Sequence, residues 1–254
     1  GGPHSLDDCR SWNMLCVMHR RKSTTNRTFT LLDLRPTRGP RDRSMRHRIA
    51  GMIGMIALCS VAQAQLREAF IDPTITGPGI EPLTELPGAS LRRLDHFVAL
   101  DPSLENGFLY VHLVGSGGLP ENNRMIARHA AERGFHVVSL AYPNWPSVRE
   151  LTSQNGDGAA PGQIRQERLY GEDVSPLVDV DQPNSVVNRL IRLLEYLDTK
   201  FPSEGWGRFL INDRPIWSRL LIGGHSQGAG HAAYLGKDHI LAGVVLLGGP
   251  GDLV

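Results

Sequence analysis

Between residues 65 and 254 the sequence has no cysteine; its three, Cys9, Cys16 and Cys59, all come earlier. That excludes a disulfide framework for this stretch, whose fold must rest on core burial. No Cys/His set has zinc-ligand spacing, so a structural zinc site is excluded too. Long apolar runs are also missing. The longest, Ile49–Val61, is too short for a comfortable membrane span. A large charge excess is absent, with a formal net charge of +1. That figure hides an asymmetry. Residues 1–64 hold 11 Lys/Arg and 4 Asp/Glu, a net of +7, and residues 65–254 hold 16 and 22, a net of −6. The basic character therefore belongs to the first quarter, and the remainder carries no footprint for nucleic acid.

The basic quarter divides in two. "MRHRIAGMIGMIALCSVAQAQ", residues 45–65, opens on a methionine and a positive segment (Arg46, His47, Arg48). An apolar stretch follows, and then the small-x-small site Ala62-Gln63-Ala64. This is the layout of a secretory signal peptide over 45–64, cleaved after Ala64, and it implies a secreted or periplasmic bacterial protein with no stable membrane insertion after cleavage. Leu58 before Cys59 is too bulky for a lipoprotein signal. Residues 1–44 are basic, contain proline and lack sustained periodicity, which reads as translated upstream sequence or a disordered leader.

Residues 65–89 are rich in Pro, Gly and Thr and read as an extended N-terminal arm over the surface. From residue 90 the pattern changes. "LRRLDHFVAL" (91–100) reads as an edge strand, and "FLYVHLV" (108–114) and "FHVVSLAYP" (135–143) read as buried strands. Between the last two, "ENNRMIARHAAERG" (121–134) reads as a helix with Met125, Ile126, His129 and Ala130 on one face. Residues 144–184 show no long periodic element and read as a functional or mobile loop. "SVVNRLIRLLEYLDTKFP" (185–202) carries a wide apolar stripe and predicts a strong helix. "IWSRLLIGG", "SQGAGHAAYLGK" and "LAGVVLLGG" then read as strand, helix and strand.

This alternation predicts an α/β fold over 90–254, a mostly parallel sheet with helices on both faces. Continuous apolar strands fit, because such strands are covered on both sides. Ligands then sit at the carboxyl ends of the strands.

The chemistry concentrates at Gly224-His225-Ser226-Gln227-Gly228, a G-x-S-x-G between a strand and a helix. Gly224 and Gly228 suit a sharp turn in which side chains two positions from the serine would clash. Ser226 is left at a helix N-terminus, where amides and the helix dipole favour developing negative charge. A serine nucleophile also needs an imidazole base, a carboxylate to orient it, and oxyanion donors. One donor is the Gln227 amide. The other comes from "VGSGG" (114–118), through Ser116 or Gly117.

These residues resemble the α/β-hydrolase superfamily. "LAYPN", "NRLIRLLEYL", "EGWGRFL" and "GHSQGAGHAAYLGK" resemble, more narrowly, a poorly characterised group of exported bacterial α/β hydrolases. The resemblance covers roughly 90–254. It implies Ser226 as nucleophile, Gln227 with Ser116 or Gly117 as the oxyanion hole, no cofactor or metal, and a small-molecule or lipid ester as substrate. The departure is at the C-terminus, since the superfamily places its histidine after the last strand. His231 lies along the elbow helix on the far side from the serine's rim, His239 lies at the opposite edge of the sheet, and His225 is inside the elbow. None suits the base. The expectation is a hydrolase domain truncated at its C-terminus, with the base beyond Val254, inactive as this chain alone. Asp252 reads equally as the triad acid or as a turn residue in "GGPGD". Two other readings stand beside the enzyme: a non-catalytic binding protein on a hydrolase scaffold, and a nucleotide-dependent protein using "GSGG", a weak match that lacks the third glycine. Asp173, Asp179 and Asp181 read as a solvated acidic loop, without EF-hand spacing.

Overall fold

The buried runs assemble into a sheet whose centre is parallel. In the computed structural model, which describes residues 16–18, 66–83, 94–153 and 158–249, four strands run the same way. They are β4 (Leu109–Leu113), β5 (His136–Leu140), β8 (Leu220–His225) and β9 (Gly243–Leu247), in the spatial order β9-β8-β4-β5. β3 (His96–Leu100) joins antiparallel to β5, and β2 (Arg67–Ile71) antiparallel to β3. At the other end β1 (Cys16–Met18) lies antiparallel to β9. A two-stranded ribbon, β6 (Leu210–Ile211) and β7 (Arg214–Pro215), stands apart from the sheet. The described residues fall in one unit, Gly1–Arg20 with Ala64–Val254. A second grouping, Arg21–Gln63, lies outside the described residues, and with it most of the signal segment.

Every residue of β3, β4 and β5 is buried, as expected of strands covered on both faces. Alternate side chains go to opposite layers. Val98, Leu100, Val111, Leu113, Val138 and Leu140 pack against Leu190, Leu193, Leu194 and Leu197 of α4 (Val186–Lys200) and Ala232 and Leu235 of α5 (Gln227–Asp238). Phe97, Ala99, Tyr110 and Val137 pack on the other face against Ala127 and Ala131 of α1 (Arg124–Ala131). Each buried leucine of α4 contributes about 2 kcal/mol from apolar area removed from water, and Ser185 caps that helix by accepting from the Asn188 amide at 3.3 Å. Helices on both faces of a mostly parallel sheet make this an α/β fold, as the alternation of elements predicts.

Four features differ from the sequence reading. The arm over 65–89 contains a strand, β2, which pairs from Arg67↔Leu100 to Ile71↔His96, so β3 is interior and β2 is the edge. "REAFI" hides its strand character because only Ile71 of the five is fully buried. The loop over 144–184 contains two helices, α2 (Val148–Ser153) and α3 (Ala160–Tyr170). The buried set of α3 includes Arg165, Glu167 and Arg168, so no apolar period announces it. On α1 the inner face is Ala127 and Ala131, while Met125 is 74% exposed. Small residues let that helix lie close to the sheet, which turns its larger side chains outward. Finally, three residues of the leader occupy the far edge of β9. An open strand edge presents unpaired amides and carbonyls that an extended segment satisfies.

Candidate active site

The ends of β4, β5, β8 and β9 share one rim, because Leu113 is level with Leu140 and Gly224, and Gly224 with Leu246. Ser226 sits on this rim at the junction of β8 and α5. Its backbone is at φ 53° and ψ −116°, in the left-handed half of the map that L residues rarely adopt. Its amide donates to Leu247 O at 2.9 Å, and its carbonyl accepts from the Ala229 amide at 3.0 Å. Sheet and helix thus both hold the strained residue, and its side chain is exposed. The flanking glycines are sterically required. A Cβ on Gly224 would run into the Gly228 carbonyl, and one on Gly228 into the Leu113 carbonyl. Gly249 is as tight, since a Cβ there would come to 2.5 Å from Ser226 O.

The glycine turn after β4 lies against this corner. A Cβ on Gly115 would stand 3.2 Å from His225 O and 3.4 Å from Ser226 Cβ, so a side chain there would crowd the serine's corner. The turn is closed by Gly118 N–H donating to Gly115 O at 2.9 Å, with Gly117 at φ 66°. Asn144 grips it from the side. Asn144 Oδ1 accepts from the Gly117 amide at 3.2 Å, and Asn144 Nδ2 donates to Gly118 O at 2.9 Å. Of the two amides nominated as second oxyanion donor, Gly117's is engaged. Ser116's has no hydrogen-bond partner among the described residues. With the Gly117 and Gly118 amides both occupied, the turn is poorly suited to cradle a phosphate.

Gln227 follows the serine. As the first residue of α5 its amide precedes the intrahelical bonds and has no hydrogen-bond partner among the described residues. Its side chain is buried and bonded at both ends. Gln227 Nε2 donates to Asn144 O at 2.9 Å, while Gln227 Oε1 accepts from the Val148 amide at 2.8 Å and from Arg168 Nη1 at 3.1 Å. Arg168 Nη2 also donates to Pro146 O at 2.6 Å. Burial lowers the Arg168 guanidinium to about 10, which still leaves it charged at neutral pH. Sequence reasoning missed Arg168 altogether. The one signal was a pair of arginines, Arg165 and Arg168, one helical turn apart in a stretch without apolar period.

No imidazole among the described residues hydrogen-bonds the Ser226 hydroxyl. His231 is fully buried below the elbow, edge-on to Tyr142 at 5.6 Å, and burial, with Arg168 and Arg165 nearby, holds it well below the ordinary histidine range. His239 stacks on Trp217 at 4.0 Å and shares a 3.0 Å hydrogen bond with the Tyr170 hydroxyl. His112 is buried on β4, bonded to the Tyr110 hydroxyl at 2.8 Å and lowered to about 4 by burial and then by His225. His225 is exposed, between Gly115 and Gly248. Asp252 lies outside the described residues. Asp181, of the acidic loop, caps a short turn by accepting from the Asn184 amide at 3.2 Å.

Beside the rim is a cavity of about 320 Å³, lined in part by Tyr142, Asn144, Trp145, Asp179, Asn184 and Arg189. It shares Asn144 with the turn and with Gln227.

No family model matches the chain, and no curated protein does. Solved structures do. Esterase B from Lactobacillus rhamnosis, inhibited by a tributyrin phosphonate, is 13% identical, covering 66% of this chain and 38% of its own at a TM-score of 0.32. A bacterial heroin esterase is 15% identical, covering 68% and 40% at 0.31. Esterase 2 of the Planctomycetes species Thermogutta terrifontis is 14% identical, covering 61% and 44% at 0.29. The chain spans about two fifths of the length of the first two.

Proposed function

We propose that this protein is a serine hydrolase that cleaves a carboxylic ester through an acyl-enzyme at Ser226. One observation carries the reading: an exposed serine held at φ 53° at a helix N-terminus, with the Gln227 and Ser116 amides on the same rim unpartnered among the described residues. Ser226 Oγ attacks the ester carbonyl, and the two amides stabilise the oxyanion that forms. The alkoxide leaves, and water releases the acid. The attacking hydroxyl gives its proton to a base that the described residues do not supply, with Asp252 or another carboxylate orienting it. The cavity beside Asn144 would take part of a small-molecule or lipid ester. Labelling by a fluorophosphonate tests the proposal: the full-length protein should be modified and its Ser226→Ala variant should not, whereas equal labelling of both rejects it.

A second reading, a binding protein on a hydrolase scaffold, is favoured by the lack, among the described residues, of an imidazole bonded to Ser226. It expects no labelling of either protein. Export belongs to the leading reading, supported by the basic segment, apolar run and Ala62-Gln63-Ala64 site. The N-terminus of protein recovered from its native source should then begin at Gln65, and a retained 45–64 segment contradicts export.

A further inference from the structure

We propose that Asn144 is a positioning residue that selects the Ser116 amide as the second oxyanion donor. The inference rests on the hydrolase reading of Ser226. A four-residue turn so close to a nucleophile can offer several N–H groups, yet an oxyanion hole works only if the donors are fixed before charge develops. In the 115–118 turn, Gly118 N–H is tied to Gly115 O and Gly117 N–H to Asn144 Oδ1. Asn144 Nδ2 holds the Gly118 carbonyl as well, so one planar amide spans the turn from both sides. Gly117 has φ 66° and is exposed, with only Trp145 within 4 Å of where a Cβ would stand, so neighbouring side chains give it little restraint. The side chain of Asn144 supplies that restraint.

Asn144 is in turn fixed from the other half of the site. Its backbone carbonyl accepts from Gln227 Nε2, and Gln227 is the residue whose own amide is the first oxyanion donor. The two donors are thereby coupled through one bonded path, Ser116–Gly117 to Asn144 to Gln227. Arg168 and the Val148 amide anchor its far end on Gln227 Oε1. Asn144 is 3% exposed and its bond to Gln227 is buried, so this link is shielded from solvent. The outcome is a spacing between Ser116 N–H and Gln227 N–H that does not depend on the substrate.

Kinetics of the full-length protein on a neutral p-nitrophenyl ester test this. Asn144→Ala should lower kcat by ten- to a hundredfold with KM unchanged. Affinity for a trifluoromethyl ketone, which forms the tetrahedral adduct, should fall by a similar factor, while affinity for the product acid should not. Asn144→Asp keeps the acceptor for the Gly117 amide but replaces the Nδ2 donor with an oxygen that repels the Gly118 carbonyl, so the turn is held from one side only. It should lower kcat and ketone affinity together by at least fivefold with product affinity unchanged, and it serves alone should the alanine variant not fold. Wild-type kcat in either folded variant overturns the positioning role. A fall in ketone and product affinity together overturns it too, since that is the mark of a general structural loss. A wild-type protein that neither turns over the ester nor reacts at Ser226 rejects the hydrolase reading, and the role of Asn144 with it.

Discussion

The elbow and the α2–α3 region meet at Gln227, yet they are built from opposite materials. The elbow is made of small residues. Gly224 and Gly228 have no room for a Cβ, Gly115 touches the serine's corner, and Ala229 and Ala232 are fully buried. The α2–α3 region is made of buried charge. Arg165, Glu167 and Arg168 are each 2% exposed or less. Glu167 alone accepts three backbone amides, from Val174 at 3.2 Å, Ser175 at 2.9 Å and Val180 at 3.1 Å. The first device brings backbones close by removing side chains. The second holds an irregular segment in place by giving its amides and carbonyls charged partners that water cannot reach. A strained, close-packed corner needs the first, and the loop that frames it needs the second.

The largest effect that would sharpen this contrast comes from the charged side. Glu167→Ala leaves three backbone amides without their acceptor and should cost about 4 kcal/mol. Gly228→Ala, which pushes a methyl at the Leu113 carbonyl, should cost about 3 kcal/mol, both values being read by urea titration. A cost under about 1 kcal/mol for Glu167→Ala would mean that the segment over 174–180 is held by something else.

A smaller effect follows from the buried histidines. Burial, helped by Arg189, lowers His96 to about 3, and burial, helped by His225, lowers His112 to about 4. In the unfolded chain both titrate near 6.5, so below that pH the unfolded state binds protons that the folded state refuses. Their contribution to stability is complete above pH 6.5 and is lost as pH falls towards about 4 for His112 and about 3 for His96. Each should add about 1.4 kcal/mol of destabilisation per pH unit in that window. His231, beneath the elbow with both ring nitrogens unpartnered, acts in the same direction. His231→Phe should therefore flatten the decline in urea stability between pH 7 and pH 5. An unchanged slope would show that His231 does not remain neutral in the folded protein.

The same contrast governed what could be read from the sequence. Strands such as "LYVHL" and "HVVSL" declared themselves by unbroken burial, α4 by its leucine stripe, and the elbow by its glycines. Those signals are local and depend on residue type alone. The wiring of Asn144, Gln227 and Arg168 spans 83 and 59 residues of chain and uses polar side chains that look solvated in a linear reading. Helix α3 was hidden for that reason, since half of its buried residues are charged. β2 was hidden because four of its five residues are not fully buried. On α1 the larger residues suggested the inner face, and close packing chose the alanines instead. Gly117 shows the limit within the site: the motif marked the turn, but only the structure distinguishes its engaged amide from that of Ser116.

The central claim is that the strained serine is a nucleophile, and mapping a covalent adduct tests it most directly. Full-length protein treated with a fluorophosphonate, digested and examined by mass spectrometry should carry the phosphonyl group on Ser226, in the peptide containing "GHSQGAGH". An unmodified Ser226 under conditions that label a known serine esterase would contradict the claim and leave the binding scaffold as the better account.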